Sequence, residues 1–64
     1  MKHIQKSKYA KDEYIGTSAS GSTYLIRKTG ASRFHRWVAI NRADDSDTFF
    51  CGKLWAIDES LGLR

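Results

Sequence analysis

The sequence predicts a small α+β domain, an antiparallel sheet of three or four strands with a short C-terminal helix packed on one face. Between residues 23 and 52, segments rich in aromatic and β-branched residues alternate with short polar turns, which is typical of a strand meander. From residue 54 the apolar residues recur with the period of a helix. With 64 residues, the chain is long enough for one domain only.

The first third of the chain leaves one alternative open. Residues 1–11 contain four lysines and no acidic residue, so we expect a flexible basic arm followed by a single domain over residues 12–64. Residues 16–23 are all small, which fits either a flexible linker or the tip of a hairpin. The hairpin is favoured because Gly21 supplies a turn between two strand-forming flanks.

The rest of the chain divides more clearly. Strands are predicted at residues 23–28, 33–42 and 47–52, joined by turns at residues 29–32 and 43–46. Leu54, Ile57 and Leu61 then fall on one face of a helix, with Gly62 where a helix-ending glycine belongs. A helix this short is marginal in isolation, so we expect it to pack on the sheet.

The turns predict a register and therefore two faces. Pairing Arg42 with Asp47 sets Ala39 opposite Phe50, and pairing Thr29 with Arg33 sets Ile26 opposite Arg36. The more apolar face, assigned to the helix, carries Tyr24, Ile26, Lys28, Phe34, Arg36, Val38, Ile40, Phe49 and Cys51. The opposite face is left open and carries Leu25, Arg27, His35, Trp37, Ala39, Asn41, Thr48 and Phe50.

Charge is distributed unevenly along the chain. There are 11 Lys+Arg against 7 Asp+Glu, a formal net charge of +4. Residues 14–43 contain basic side chains and no acidic one, whereas residues 44–64 contain five acidic and two basic side chains, a net of −3. A small basic domain of this kind favours nucleic acid as a partner, although charge kept for solubility explains the excess equally well.

A set of basic and aromatic side chains is the candidate binding site for nucleic acid or for a protein partner. Its members are Arg27, Lys28, Arg33, His35, Arg36, Trp37, Arg42 and Phe50. Aromatic rings stack on bases while Arg and Lys contact phosphates, and a small sheet can also enter a major groove. The lysines of residues 1–11 would add electrostatic affinity. The competing interpretation is that Trp37 and Phe50 are core residues beneath the N-terminal segment.

No catalytic, metal or cofactor site is predicted. Cys51 and His35 lie on opposite predicted faces, which argues against a nucleophile and its base. One Cys and two His do not form a zinc-binding set, and the acidic run at residues 44–47 is better explained as a polar turn than as a calcium loop. We therefore expect a binding protein that is not an enzyme.

The predicted location is the cytoplasm of a bacterial or host cell. A single cysteine cannot form an internal disulfide, which favours a reducing compartment. No apolar run approaches the roughly 20 residues of a membrane span, and the first residues lack the apolar stretch of a signal peptide. We accordingly expect no membrane contact.

Over residues 23–61, the predicted layout of strands and terminal helix resembles the small sheet domains with which some phage integrases hold arm-type DNA. This resemblance implies DNA contact by the sheet. In length and composition the chain is also similar to small phage-encoded inhibitors of host systems, including anti-CRISPR proteins. That similarity implies an alternative function, an inhibitor or adaptor that binds a host protein or nucleoprotein complex. A homodimer that buries the open face is a third possibility.

Overall fold

Five antiparallel strands and a C-terminal helix form the fold. A computed structural model describes residues 1–8, 10–30 and 32–64. The elements are β1 (Ile4–Lys6), β2 (Glu13–Thr17), β3 (Thr23–Lys28), a 3₁₀ turn (Arg33–His35), β4 (Trp37–Asn41), β5 (Thr48–Cys51) and α1 (Leu54–Leu63). The strands pair in chain order. The α+β class is confirmed, but the described residues form five strands rather than three or four.

The additional strand is β1, which lies within the segment predicted as a flexible arm. Ile4 pairs with Gly16 and is buried in the core. The His3 carbonyl accepts a 2.8 Å hydrogen bond from the Thr17 amide, and the His3 amide donates to Asp58 of α1 at 2.7 Å. One apolar residue among lysines gives no alternating pattern, and exposed lysines are typical of an edge strand.

Two predicted segments contain residues that lie outside the described part of the chain. Tyr9 belongs to the predicted arm at residues 1–11, and Ala31 belongs to the predicted turn at residues 29–32. Both segments are therefore described only in part.

The hairpin prediction for residues 16–23 is confirmed. Strands β2 and β3 pair along their whole lengths, with Glu13 opposite Arg27 and Thr17 opposite Thr23. Residues 18–22 form the loop, in which the Ser18 hydroxyl accepts a 3.0 Å hydrogen bond from the Ser22 amide. The same loop is tied to the helix, because the Ala19 amide donates to the Leu61 carbonyl at 3.0 Å.

The predicted register of β4 is wrong on both of its edges. Ile26 faces Ala39 rather than Arg36, so the pairing with β3 differs from the prediction by three residues. Ala39 also faces Phe49 rather than Phe50, so the pairing with β5 differs by one residue. An odd shift exchanges the two faces of a strand, and the side chains of β4 therefore point the opposite way from the prediction.

The 3₁₀ turn causes the larger shift. The predicted strand began at residue 33, whereas β4 begins at Trp37. The His35 amide donates to the Ser32 carbonyl at 2.9 Å, and the Thr29 hydroxyl donates to the His35 carbonyl at 2.6 Å. These bonds keep residues 33–35 out of the strand, although their alternating pattern fits a strand equally well.

The core lies between α1 and one face of the sheet. It consists of Ile4, Tyr24, Ile26, Ala39, Ile57 and Leu61. Ile57 and Leu61 confirm the predicted inner face of the helix, and each contributes about 1.5–3 kcal/mol by burial. Gly16 allows the helix to approach, because a Cβ there would lie only 2.5 Å from the Leu61 Cδ1 atom.

The sheet surface opposite α1 is called the open face below. Tyr24 and Ile26 point to the helix, and Leu25 and Arg27 to the open face, as predicted. Strand β4 is reversed, with Trp37, Ala39 and Asn41 towards the helix and Val38 and Ile40 on the open face. Within the described residues, no helix has the length and apolar character needed to cross a membrane.

Candidate functional site

A cavity surrounded by positive charge lies where the 3₁₀ turn meets the end of β5 and the start of α1. It has a volume of about 300 Å³ and is lined by Arg33, Phe34, Arg36, Gly52 and Lys53; we call it the cationic cavity. Across residues 1–8, 10–30 and 32–64, no carboxylate forms an ion pair with any of its three cations. Their charge is therefore available to an anionic ligand.

Gly52 gives the cationic cavity its shape. A Cβ at Gly52 would lie 2.6 Å from the carbonyl oxygen of Arg33 and 3.4 Å from the Phe34 Cα atom. The missing side chain allows the backbone of the 3₁₀ turn to rest against the end of β5. Lys53, the next residue, is the N-cap of α1, so the same contact brings Lys53 to the two arginines.

Two exposed phenylalanines lie in this region. Phe34 is 67% exposed, and the guanidinium carbon of Arg33 lies 5.1 Å from the centre of its ring. Phe50 is 49% exposed on the open face, with its ring centre 5.7 Å from that of His35 in an edge-to-face contact. Because His35 stands between Phe34 and Arg36 in the chain, Phe50 lies beside the cationic cavity.

The structure brings together half of the predicted site residues. Arg33, His35, Arg36 and Phe50 lie in and around the cationic cavity. Phe34 and Lys53 were missed. The signal for Phe34 is its position beside a second ring, His35, between two arginines in Arg-Phe-His-Arg at residues 33–36. Lys53 carried no signal, because its position depends on the close approach at Gly52.

Trp37 and Lys28 lie on the helix face of the sheet, opposite each other on β4 and β3. Trp37 is half-buried, and its ring is 5.7 Å from that of Tyr14 in an edge-to-face contact. The prediction that Trp37 lies on the open face is therefore wrong, because the register of β4 differs. This leaves Phe50 as the large aromatic residue of the open face among the residues described.

Arg27 and Arg42 are on or beside the open face but away from the cationic cavity. The Nε atom of Arg27 donates to a Glu13 carboxylate oxygen at 2.7 Å, so this cation already has a partner. Arg42 follows the far end of β4, where its amide donates to the Thr23 carbonyl at 2.9 Å. The predicted pair of Arg42 and Asp47 does not form.

The open face between these arginines is apolar. Ile15, Leu25 and Ile40 lie side by side on neighbouring strands and are half-buried, and Val38 pairs with Phe50 next to them. Since α1 packs on the other side of the sheet, this row forms a continuous surface leading to the cationic cavity.

A second polar group, the Asp47 cluster, lies at the other end of β4 on the helix side. It consists of Tyr24, Asn41, Asp47, Phe49 and Arg64. One oxygen of Asp47 accepts a short hydrogen bond from the Tyr24 hydroxyl and a 3.2 Å bond from Asn41. The other accepts from Arg64 at 2.9 Å, and the Arg64 guanidinium carbon lies 4.1 Å from the centre of the Phe49 ring.

These contacts shift the ionisation of both partners. Hydrogen bonds from Tyr24 and then Asn41 hold the pKa of the Asp47 carboxyl below its ordinary 3.8. The hydrogen bond to Asp47, together with burial, raises the pKa of Tyr24 above its ordinary 10.0. The acid of this cluster is therefore fully engaged within the protein.

The residues weighed as nucleophile and base, Cys51 and His35, lie on opposite faces of the sheet. Cys51 is half-buried on the helix face, where burial raises the pKa of its thiol, while His35 contacts Phe50 on the open face. The carboxylate of Asp44 accepts hydrogen bonds from the amide and hydroxyl of Ser46 within its own turn. The described residues contain no group of three or more His, Cys, Asp or Glu able to hold a metal ion.

Comparisons of the chain with protein-family models, with curated proteins and with solved structures give no match. The two N-terminal strands also depart from the layout on which the resemblance to integrase domains was based. The function therefore has to be inferred from the site itself.

Proposed function

We propose that the protein binds nucleic acid, without catalysis, through the cationic cavity and the adjoining open face. The observation that carries this proposal is the meeting of Arg33, Arg36 and Lys53 around one cavity without a carboxylate partner in the described residues. Arg and Lys side chains bind phosphates, and the exposed rings of Phe34 and Phe50 offer stacking surfaces to bases.

Charge kept only for solubility is the competing explanation, and the arrangement argues against it. Solubilising charges are dispersed, with both signs interspersed. Two other arginines follow that pattern, because Arg27 is paired with Glu13 and Arg64 with Asp47. Around the cationic cavity, three like charges converge instead, which costs repulsion unless an anion binds there.

Salt dependence tests the proposal directly. With three phosphate contacts, raising the salt concentration from about 50 mM to about 200 mM should weaken binding by about 20- to 40-fold. The measurement is a fluorescence anisotropy titration of labelled oligonucleotides at both salt concentrations. Absence of binding at the lower concentration contradicts the proposal.

A pair of double variants locates the binding surface. Arg33→Ala with Arg36→Ala removes two charges from the cationic cavity and should weaken binding by at least tenfold at low salt. Lys2→Ala with Lys11→Ala removes the same charge from other exposed sites and should change the affinity by less than a few fold. Equal losses in the two double variants would show that only net charge matters.

A protein partner is the second candidate, favoured by the apolar row of Ile15, Leu25 and Ile40 on the open face. An apolar centre with a charged rim is the usual composition of a protein interface. In this case Leu25→Arg should abolish capture of a host partner from nuclease-treated lysate, and the Arg33→Ala and Arg36→Ala double variant should retain it. Loss of capture after nuclease treatment favours nucleic acid instead.

A further inference from the structure

The shape of the sheet limits which nucleic acid this site can take. Five strands spaced about 4.8 Å apart place the outer strands roughly 19 Å from each other. A major groove is only about 12 Å wide, which admits a helix or a two-stranded ribbon but not this sheet. Helix α1 does not offer a basic surface for a groove either, because residues 54–63 contain no basic side chain and two acidic ones, Asp58 and Glu59.

The aromatic residues point to unpaired bases. In a duplex the flat faces of the bases are stacked on each other, so a protein ring reaches them without the cost of unstacking only where the nucleic acid is single-stranded. Phe34 and Phe50 expose 67% and 49% of their surfaces in the same region. Exposing two large rings to water is unfavourable, and stacking with bases removes that cost.

The contact of Arg33 with Phe34 pairs a stacking surface with a phosphate contact. The guanidinium carbon lies 5.1 Å from the ring centre, so the cation is held beside the ring that would receive a base. Arg36 and Lys53 continue the positive charge around the cavity. In a nucleic-acid strand each base is joined through its sugar to a phosphate, and this site offers a partner for both side by side.

We propose that the nucleic acid bound here is single-stranded, with unpaired bases on Phe34 and Phe50 and phosphates on Arg33, Arg36 and Lys53. This inference rests on the proposed function, since it names the substrate class of the same site. It replaces the sequence-based expectation of a sheet entering a major groove.

The test compares three probes at equal total phosphate concentration. They are an oligothymidylate of about ten nucleotides, a strand of the same length with abasic positions, and a blunt G·C-rich duplex of about ten base pairs, which stays paired at the temperature of the measurement. Anisotropy at low salt should show the oligothymidylate binding about 25-fold more tightly, or better, than either of the others, since two bases stack and each stacked base strengthens binding by about fivefold or more. The ribose counterpart of the oligothymidylate, oligouridylate, should also bind more tightly than the abasic strand.

Two variants test the rings against a matched control. Phe34→Leu and Phe50→Leu should each weaken oligothymidylate binding by at least fivefold and leave abasic-strand binding unchanged. Trp55→Leu removes an aromatic ring that is 61% exposed on the helix side and should leave both affinities unchanged. Thermal unfolding of each variant confirms that the fold is retained.

The outcomes separate the two proposals. Equal affinity for the oligothymidylate, the abasic strand and the duplex overturns the single-strand inference and leaves the proposed function standing. No binding to any of the three overturns the proposed function itself. Preferential duplex binding also overturns the single-strand inference.

Discussion

Charged side chains are paired within the protein at one end of β4 and lack an acidic partner among the described residues at the other. In the Asp47 cluster, the carboxylate accepts hydrogen bonds from Tyr24, Asn41 and Arg64, so its charge is used inside the protein. Around the cationic cavity, Arg33, Arg36 and Lys53 converge without an acidic partner in the described residues. Charge that is satisfied internally stabilises a fold, whereas charge left without a partner is available to a ligand. Stability and binding should therefore respond to different substitutions.

The largest effect on stability is expected from Tyr24→Phe. The side chain of Tyr24 is buried, and loss of its hydrogen bond to the charged Asp47 should lower the free energy of unfolding by about 1–2 kcal/mol. For a domain of this size, the Tm should fall by about 4–8 °C per kcal/mol. Oligonucleotide affinity should not change.

Tyr14→Phe is the matched control for this change. It removes the same atom from a half-buried tyrosine whose hydroxyl has no hydrogen-bond partner in the part of the chain that the structure describes. Urea unfolding of the two variants should give a clearly larger loss for Tyr24→Phe. Equal losses would mean that the Asp47 cluster does not stabilise the fold.

The same contact predicts a two-sided pH dependence. Folding lowers the pKa of Asp47 below 3.8. The contribution of Asp47 to the free energy of unfolding is therefore present above that pH and is lost as the pH falls through the pKa of the folded state. Because folding raises the pKa of Tyr24 above 10.0, its contribution is present below that value and is lost as the pH rises through the folded pKa. The difference in Tm between the wild type and Tyr24→Phe should shrink at both extremes, and a constant difference would contradict this account.

The sequence predicts correctly which face each side chain occupies in those strands where the pattern of residues within the strand itself is sufficient. Strands β3 and β5 keep the predicted faces, since Ile26 and Phe49 both point to the core side. Strand β4 does not keep its predicted faces. Residues 33–35 have the alternating side-chain pattern of a strand, but their hydrogen bonds form a 3₁₀ turn. Strand β1 was not predicted, because its single apolar residue, Ile4, gives no alternating pattern of apolar and polar residues.

Part of the candidate site could be predicted from the sequence, but its assembly could not. Arg33, His35 and Arg36 stand together in the chain, so their proximity follows directly from sequence. Lys53 joins them only through the approach of the Arg33 carbonyl to Gly52, a tertiary contact without a sequence signature. Trp37 lies on the helix face rather than on the open face because the register of β4 differs from the predicted register.

A smaller loss of stability is expected from Arg64→Ala. The side chains of Arg64 and Asp47 are 40% and 33% exposed, so solvent screens their ion pair and it contributes little. The contact of Arg64 with the Phe49 ring adds about 0.5–1 kcal/mol. Arg64→Lys keeps the charge without the planar stacking and should lose less than Arg64→Ala in urea unfolding. Equal losses in the two variants would show that the planar guanidinium against the Phe49 ring, rather than the charge, is responsible.

The smallest effect on stability should come from the double variant that most weakens binding, Arg33→Ala with Arg36→Ala. These exposed side chains have no carboxylate partner among the described residues, and the contact of Arg33 with Phe34 joins chain neighbours that also meet in the unfolded state. Their loss should therefore change the free energy of unfolding by no more than about 0.5 kcal/mol. At low salt the variant should be slightly more stable than the wild type, because the repulsion among three like charges is removed. At high salt this gain should disappear, because screening already removes the repulsion in the wild type. Urea unfolding at both salt concentrations measures this, with the Lys2→Ala and Lys11→Ala double variant as the charge-matched control. A marked destabilisation would mean that the arginines hold the 3₁₀ turn in place, and the contrast between a stabilising and a binding end of β4 would then be lost.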